Sequence, residues 1–145
     1  MPYDERLVSP MRQDLTRIGF KELKNAAEVE EGINNKKGTT LVVVNSVCGC
    51  AAGMARPGVA LSLNNLVLPD HLMTVFAGQD IEAVAKVRSM IPEIPPSSPS
   101  VLLFKDGKLL WALQRFEIEG HTASDVARKL TAAYEAYCSK EAVTT

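Results

Sequence analysis

The stretch Thr39-Thr40-Leu41-Val42-Val43-Val44-Asn45-Ser46-Val47-Cys48-Gly49-Cys50 decides how this chain is read. Gly38 breaks the chain ahead of it, and Thr39 to Val44 is a β-branched and aliphatic run of the kind a strand buried on both faces requires. From about Cys50 to about Leu68 the pattern turns helical, interrupted by Gly53, Pro57 and Gly58, with a kink expected near Pro57. Cys48 therefore stands where a buried strand gives way to a helix. A thiol there meets unpaired backbone N–H groups and the positive end of the helix dipole. Both favour thiolate, so its pKa is expected below the free value of about 8.5. No Lys, Arg or His occupies the seven residues before Arg56, so the local sequence offers no charge to explain activation otherwise.

The spacing of Cys48 and Cys50 admits three readings. Two cysteines one residue apart can approach within disulfide range, and the small ring so formed is strained and hence labile. Gly49 between them tolerates unusual backbone angles that relieve part of that strain. Alternatively the pair is half of a metal or persulfide site, but zinc needs four ligands and the remaining candidates, Cys138, His71 and His121, are scattered. The third reading is two inert core thiols. The position at the strand-to-helix junction favours the redox pair.

Working outward, Ser9 and Pro10 predict the start of a first helix with Met11, Leu15 and Ile18 inward and Gly19 at its end. Phe20 to Leu23 reads as a short edge strand. Asn25 and Glu28 read as a capping box for a helix burying Val29 and Ile33. Leu72 to Ala77 is a further strand, and Asp80 caps a helix with Ile81, Val84, Val87 and Ile91 inward, stopped by Pro92. Val101 to Lys105 and Leu109 to Gln114 flank Asp106-Gly107, a strong hairpin signal. Thr122 and Asp125 open a last helix through Val126, Leu130, Ala133, Tyr134 and Tyr137.

The order is α, weak β, α, β, α, β, α, β, β, α. Alternation followed by a hairpin and a terminal helix implies a three-layer α/β fold with a mixed sheet and helices on both faces. That is a thioredoxin-like order with an extra N-terminal helix, in one domain over 1–145. A net charge of −1 provides no field that would favour nucleic acid or an anionic membrane. The first ten residues carry Asp4 and Glu5 and no apolar stretch, unlike a secretory signal, and the longest apolar block, Leu41 to Val44, is too short to cross a bilayer. A cytoplasmic location is expected, where an odd set of three cysteines suggests reactive or buried thiols and not a disulfide scaffold.

Between the helix ended by Pro92 and the next strand lies a loop with four prolines and three serines. A cis Ser98–Pro99 bond directly before that strand would turn the Ser98 N–H and C=O toward an extended substrate. Gly49, Ser98 and Pro99 are the residues expected to meet substrate.

The run from Thr39 through Cys48-Gly49-Cys50 to Gly53, together with Val75-Phe76-Ala77-Gly78-Gln79-Asp80, Pro96-Ser97-Ser98-Pro99-Ser100 and Glu117-Ile118-Glu119-Gly120-His121, closely resembles the bacilliredoxins, in register over nearly the whole chain. The resemblance implies a thioredoxin-like fold and removal of bacillithiol from S-bacillithiolated cytosolic proteins. No bound cofactor is implied, since bacillithiol is a co-substrate. It also implies that Cys48 attacks the mixed disulfide and takes the small thiol, that Cys50 resolves it, and that weak disulfide reductase or isomerase activity accompanies this. The family also carries a cysteine where Cys138 stands. The sequence departs from ordinary thioredoxins in having C-x-C, no Trp before the first cysteine, and no acidic residue in Leu41 to Val44 to handle the proton.

Other residues read more plainly. Cys138 is a half-buried thiol or an accessory redox thiol. Arg56 is a solvated charge, or an attractor for a carboxylate-bearing thiol. His121 is a loop residue, and Trp111 and Phe116 are core or edge-strand aromatics. No Cys–His–acid set of a hydrolase can be named.

Overall fold

A computed structural model describes residues 2–138. Its strands are β1 (Lys21–Glu22), β2 (Thr39–Asn45), β3 (His71–Phe76), β4 (Ser100–Lys105) and β5 (Lys108–Leu113). They form one sheet in the order β1-β3-β2-β4-β5. β1, β3 and β2 run parallel, β4 runs antiparallel to β2, and β5 runs antiparallel to β4. Every residue of β2 is buried. The pleat sends Leu41 and Val43 to one face, with Leu103, Val59, Val126 and Leu130, and Val42 and Val44 to the other, with Val84, Val87, Leu102 and Phe104. Two cores flanking one strand explain why its sequence shows no polar alternation.

The helices are α1 (Glu5–Thr16), α2 (Ala26–Val29, continued by a π-helical turn Glu30–Asn34), α3 (Arg56–Ser62, preceded by a π-helical turn Ala51–Ala55), α4 (Ile81–Ser89), α5 (Arg115–Ile118) and α6 (Ala123–Tyr137). The expected fold class, with its extra N-terminal helix and helices on both sheet faces, is the one observed. Among the described residues no helix is long and apolar enough to cross a membrane.

Several boundaries differ from the sequence reading. α1 begins four residues before Ser9, because the Asp4 carboxylate accepts the Arg6 N–H and caps it, leaving Pro10 inside the helix. Asp80 makes no cap. Its carboxylate instead takes both Nη groups of the buried Arg12 at 2.8 Å, while Arg12 also lies 5.4 Å over the Phe76 ring. A buried guanidinium requires such a bidentate partner more than a helix terminus does. Ile81 and Tyr137 face outward, at the exposed edges of their helices. The helix after the cysteines ends at Ser62, not near Leu68. In place of a proline kink, the π-helical turn absorbs the register change, and Pro57 falls in the first turn of α3, where its missing N–H matters least. α5 escaped the sequence reading altogether, since four residues are too few to show periodicity. Phe116 lies on it and is 70% exposed, so it is neither core nor edge strand. Trp111 does sit on the edge strand β5 and packs against the core. Asp106 and Gly107, with φ of 49° and 84°, make the expected hairpin turn.

Candidate functional site

Helical backbone begins at Gly49, and the Cys48 carbonyl accepts the N–H groups of Ala51 and Ala52 at 3.1 and 3.2 Å. Cys48 thus occupies the N-cap position three residues after the end of β2. The approach to it is held from beneath. Arg56, 4% exposed, donates Nη1 to Asn45 Oδ1 and to the Ser46 carbonyl, both at 2.8 Å, and Nε to Asp14 Oδ2 at 3.0 Å. Asn45 Oδ1 also accepts the Ser46 N–H at 2.8 Å, and Ser46 Oγ accepts the Cys48 N–H at 3.2 Å. Arg56 is therefore a buried strut of the cysteine loop. The expectation of a solvated charge or a substrate attractor is corrected, because its donors are consumed by the end of β2 and by α1.

The two thiols are pushed in opposite directions. For Cys48, burial opposes ionisation, but the Ala51 N–H, the Ser46 hydroxyl, the Cys50 N–H and the charge of Arg115 together outweigh it and hold the thiol below its ordinary value. For Cys50, burial, the neighbouring Cys48 sulfur and the Glu119 carboxylate raise it, with Arg115 pulling weakly the other way. Cys50 Sγ donates to Glu119 Oε2 at 3.7 Å. Gly49 between them is exposed, its φ lies outside the left-handed region, and a Cβ placed there would meet nothing within 4 Å. Its conformational freedom is thus not what this backbone uses.

The Ser98–Pro99 bond is cis. The Ser98 carbonyl accepts Arg115 Nη1 at 3.1 Å, and Ser97 Oγ accepts the Arg115 N–H at 3.4 Å. Arg115 and Glu119 pair at 3.3 Å. α5, anchored by the fully buried Ile118 and by Lys129 Nζ donating to the Glu117 carbonyl at 3.1 Å, thus brings a cation and an anion to the cysteine pair and ties the pair to the proline loop. Arg115 carries no signal in the sequence, and Glu119 enters there only within the run Glu117 to His121 that supports the resemblance, since both lie more than sixty positions from the cysteine motif. The only local sign was the short cap formed by Glu117 accepting the Gln114 N–H, closed by Gly120 at φ 78°.

Cys138 belongs elsewhere. It is buried, not half-buried, against Tyr134 and near Thr39, at the opposite end from Cys48 of β2, whose seven residues span about 20 Å at 3.3 Å per residue. Burial pushes its thiol up. His71 Nε2 lies 2.8 Å from the Lys37 carbonyl and His121 3.8 Å from Asp125. Among the described residues no group of three or more His, Cys, Asp or Glu is arranged to hold a metal ion.

Such a fold and site define a thiol–disulfide oxidoreductase of the thioredoxin fold. The structure superposes on Fasciola hepatica thioredoxin with a TM-score of 0.57 at 23% identity, covering 81% of this chain and 99% of that one. It superposes on oxidised Plasmodium falciparum thioredoxin with a TM-score of 0.54 at 19% identity, covering 83% and 100%. Residues 3–138 match the family described as disulphide isomerase. A bacilliredoxin of Shouchella clausii is 51% identical over 143 residues, covering 97% of this chain and 99% of the relative, and one of Symbiobacterium thermophilum is 52% identical over 126 residues, covering 87% and 89%. The chain belongs to the bacilliredoxin family.

Proposed function

We propose that this protein removes bacillithiol, or a similar small thiol, from mixed disulfides on cytosolic proteins, with residues 1–145 acting as one catalytic unit in the cytoplasm. The observation that carries the reading is the seat of the pair: the Cys48 carbonyl caps the helix at Ala51 and Ala52, its N–H is held by Ser46 Oγ, and Cys50 Sγ lies against Glu119 Oε2, an arrangement that favours thiolate at Cys48 and thiol at Cys50. The Cys48 thiolate attacks the sulfur of the small thiol. A Cys48–small-thiol disulfide forms, the client's S–S bond breaks, and the client leaves as a thiolate that takes a proton from water. Cys48 then carries no charge, so one of the influences that keep Cys50 protonated is removed. Cys50 loses its proton, with Glu119 positioned to accept it, and attacks Cys48. The Cys48–Cys50 disulfide forms and the small thiol departs reduced. Alternatively a second molecule of small thiol clears Cys48 directly. Either route conserves electrons, since each disulfide broken is replaced by one formed.

Gly49, Ser98 and Pro99 form the client-facing surface around the sulfurs in this reading, and the same chemistry run on protein disulfides supplies weak reductase or isomerase activity. Cys138 takes no part, given its burial and distance. The test is incubation with a bacillithiol-modified protein, followed by intact-mass spectrometry. Cys48→Ala abolishes transfer, and Cys50→Ala accumulates a protein carrying one bacillithiol on Cys48. Transfer that survives the loss of Cys48 overturns the assignment.

A further inference from the structure

Asn45 is the last residue of β2 and is buried. The sheet fixes its backbone, since its carbonyl accepts the Ala77 N–H at 2.9 Å. Its side chain joins separate parts of the molecule. Oδ1 accepts Arg56 Nη1, from the first turn of α3, and the Ser46 N–H, both at 2.8 Å. Nδ2 donates to the Met11 carbonyl of α1 at 3.1 Å. With donors on the oxygen and an acceptor on the nitrogen, one orientation of the amide satisfies all of these bonds. α1 is in turn fastened to the loop after β3 by Arg12, bidentate on Asp80. Arg56 holds the Ser46 carbonyl and Asn45 holds the Ser46 N–H, so the residue is gripped from both sides. Ser46 is the residue whose Oγ accepts the Cys48 N–H at 3.2 Å and whose hydroxyl also contacts the Cys48 sulfur. A hydrogen bond weakens steeply as its geometry is lost, so the value of that hydroxyl to Cys48 depends on how Ser46 is seated.

We propose that Asn45 is a positioning residue for the cysteine chemistry: it holds Ser46 where its hydroxyl meets Cys48, and so carries the docking of the N-terminal helix to the reacting thiol. The proposal rests on the function above and deepens the control of the same site. Asn45 acts through Ser46 and not on the sulfur itself.

The experiment follows iodoacetamide modification of Cys48 across pH by peptide mass spectrometry. It uses the full-length protein with Asn45 unchanged and with Asn45→Ala, Asn45→Ser and Asn45→Asp, each with and without Ser46→Ala. Effects of Asn45 that bypass Ser46 appear in both members of a pair and cancel in the ratio of their rates. With Asn45 in place, Ser46→Ala is expected to slow modification at neutral pH by roughly fivefold. In Asn45→Ala that factor is expected to shrink below about twofold, with the midpoint of the pH profile raised as it is in Ser46→Ala. Asn45→Asp keeps the acceptor and loses the donor to Met11, and is expected to recover part of the factor. Arg56 retains Asp14 and the Ser46 carbonyl when the amide is removed, so the buried cation stays partnered. Should Asn45→Ala unfold nonetheless, Asn45→Ser reads the same loss, because its oxygen stops one bond short of the amide oxygen. A factor retained in full in the truncated protein overturns the proposal. So does a Ser46→Ala change without effect when Asn45 is present, since Asn45 would then have nothing to act through. Transfer from a bacillithiol-capped peptide is measured in parallel. Its absence in the unsubstituted protein overturns the functional reading, whereas the coupling of Asn45 to Ser46 is decided by the modification rates alone.

Discussion

Arg56 Nη1 donates to the carbonyl of Ser46 at 2.8 Å, from a site almost closed to solvent. This bond joins the helix after the cysteines to the end of the strand before them, so it braces both sides of the thiol loop. Replacing Arg56 by Met leaves the Ser46 carbonyl and Asn45 Oδ1 short of a donor and the Asp14 carboxylate without its buried partner. Stability is expected to fall by roughly 2–4 kcal/mol in urea unfolding. A loss within a few tenths of a kcal/mol would show the bracing to be dispensable.

Ser46 offers a finer adjustment of the same loop. Its hydroxyl contacts both the Cys48 sulfur and the Cys48 N–H. Ser46→Ala removes a stabiliser of the thiolate, so the Cys48 thiol rises toward its ordinary value. Iodoacetamide modification of Cys48 at neutral pH is expected to slow by roughly fivefold, the equivalent of one hydrogen bond of about 1 kcal/mol. The sign for stability follows. A thiol depressed on folding stabilises the folded state above the unfolded pKa, and that contribution is lost as pH falls through the lower folded value. The Ser46→Ala protein is expected to show a narrower window for this loss.

Gly58 marks a close approach of α3 to α6. A Cβ there would lie 2.6 Å from Val126 Cγ1 and 3.0 Å from the Ala123 carbonyl oxygen. Val126 is fully buried and cannot turn away freely. Gly58→Ala is expected to cost about 1–2 kcal/mol, the helix propensity of Ala offsetting only part of the overpacking. Gly53→Ala is the control. Nothing lies within 4 Å of its Cβ position, and its thermal midpoint is expected to hold or rise slightly.

Tyr134 sets the alkaline limit. Burial pushes its phenol up to about 12, partly offset by the 2.9 Å hydrogen bond with Ser62. A group raised on folding stabilises fully below its unfolded pKa and loses that effect as pH rises through the folded value. Stability is therefore expected to drop between about pH 10 and about pH 12, by on the order of 2 kcal/mol from this residue. Tyr134→Phe flattens that limb in a pH series of unfolding midpoints, and an unchanged slope would assign the alkaline loss elsewhere.

Much of this molecule was legible in the chain itself, for local reasons. The unbroken apolar run of β2 announced burial on both faces, Asp106-Gly107 announced the hairpin, and Thr122 with Asp125 announced α6. The placement of Cys48 at the mouth of a helix followed from the same run, because a strand-to-helix junction is written in consecutive residues. Tertiary structure alone decided what surrounds the two sulfurs. α5 is too short to carry a period, so Arg115 and Glu119 reach the pair only because Ile118 is drawn into the core and β5 ends beside the proline loop. The same packing turned Arg56, which sequence makes the obvious cation, into a buried strut, and carried Cys138 to the far end of β2. Backbone signals act over a few residues, whereas the charge felt by a thiol depends on whatever the folded chain brings within a few ångströms of it, however distant in sequence.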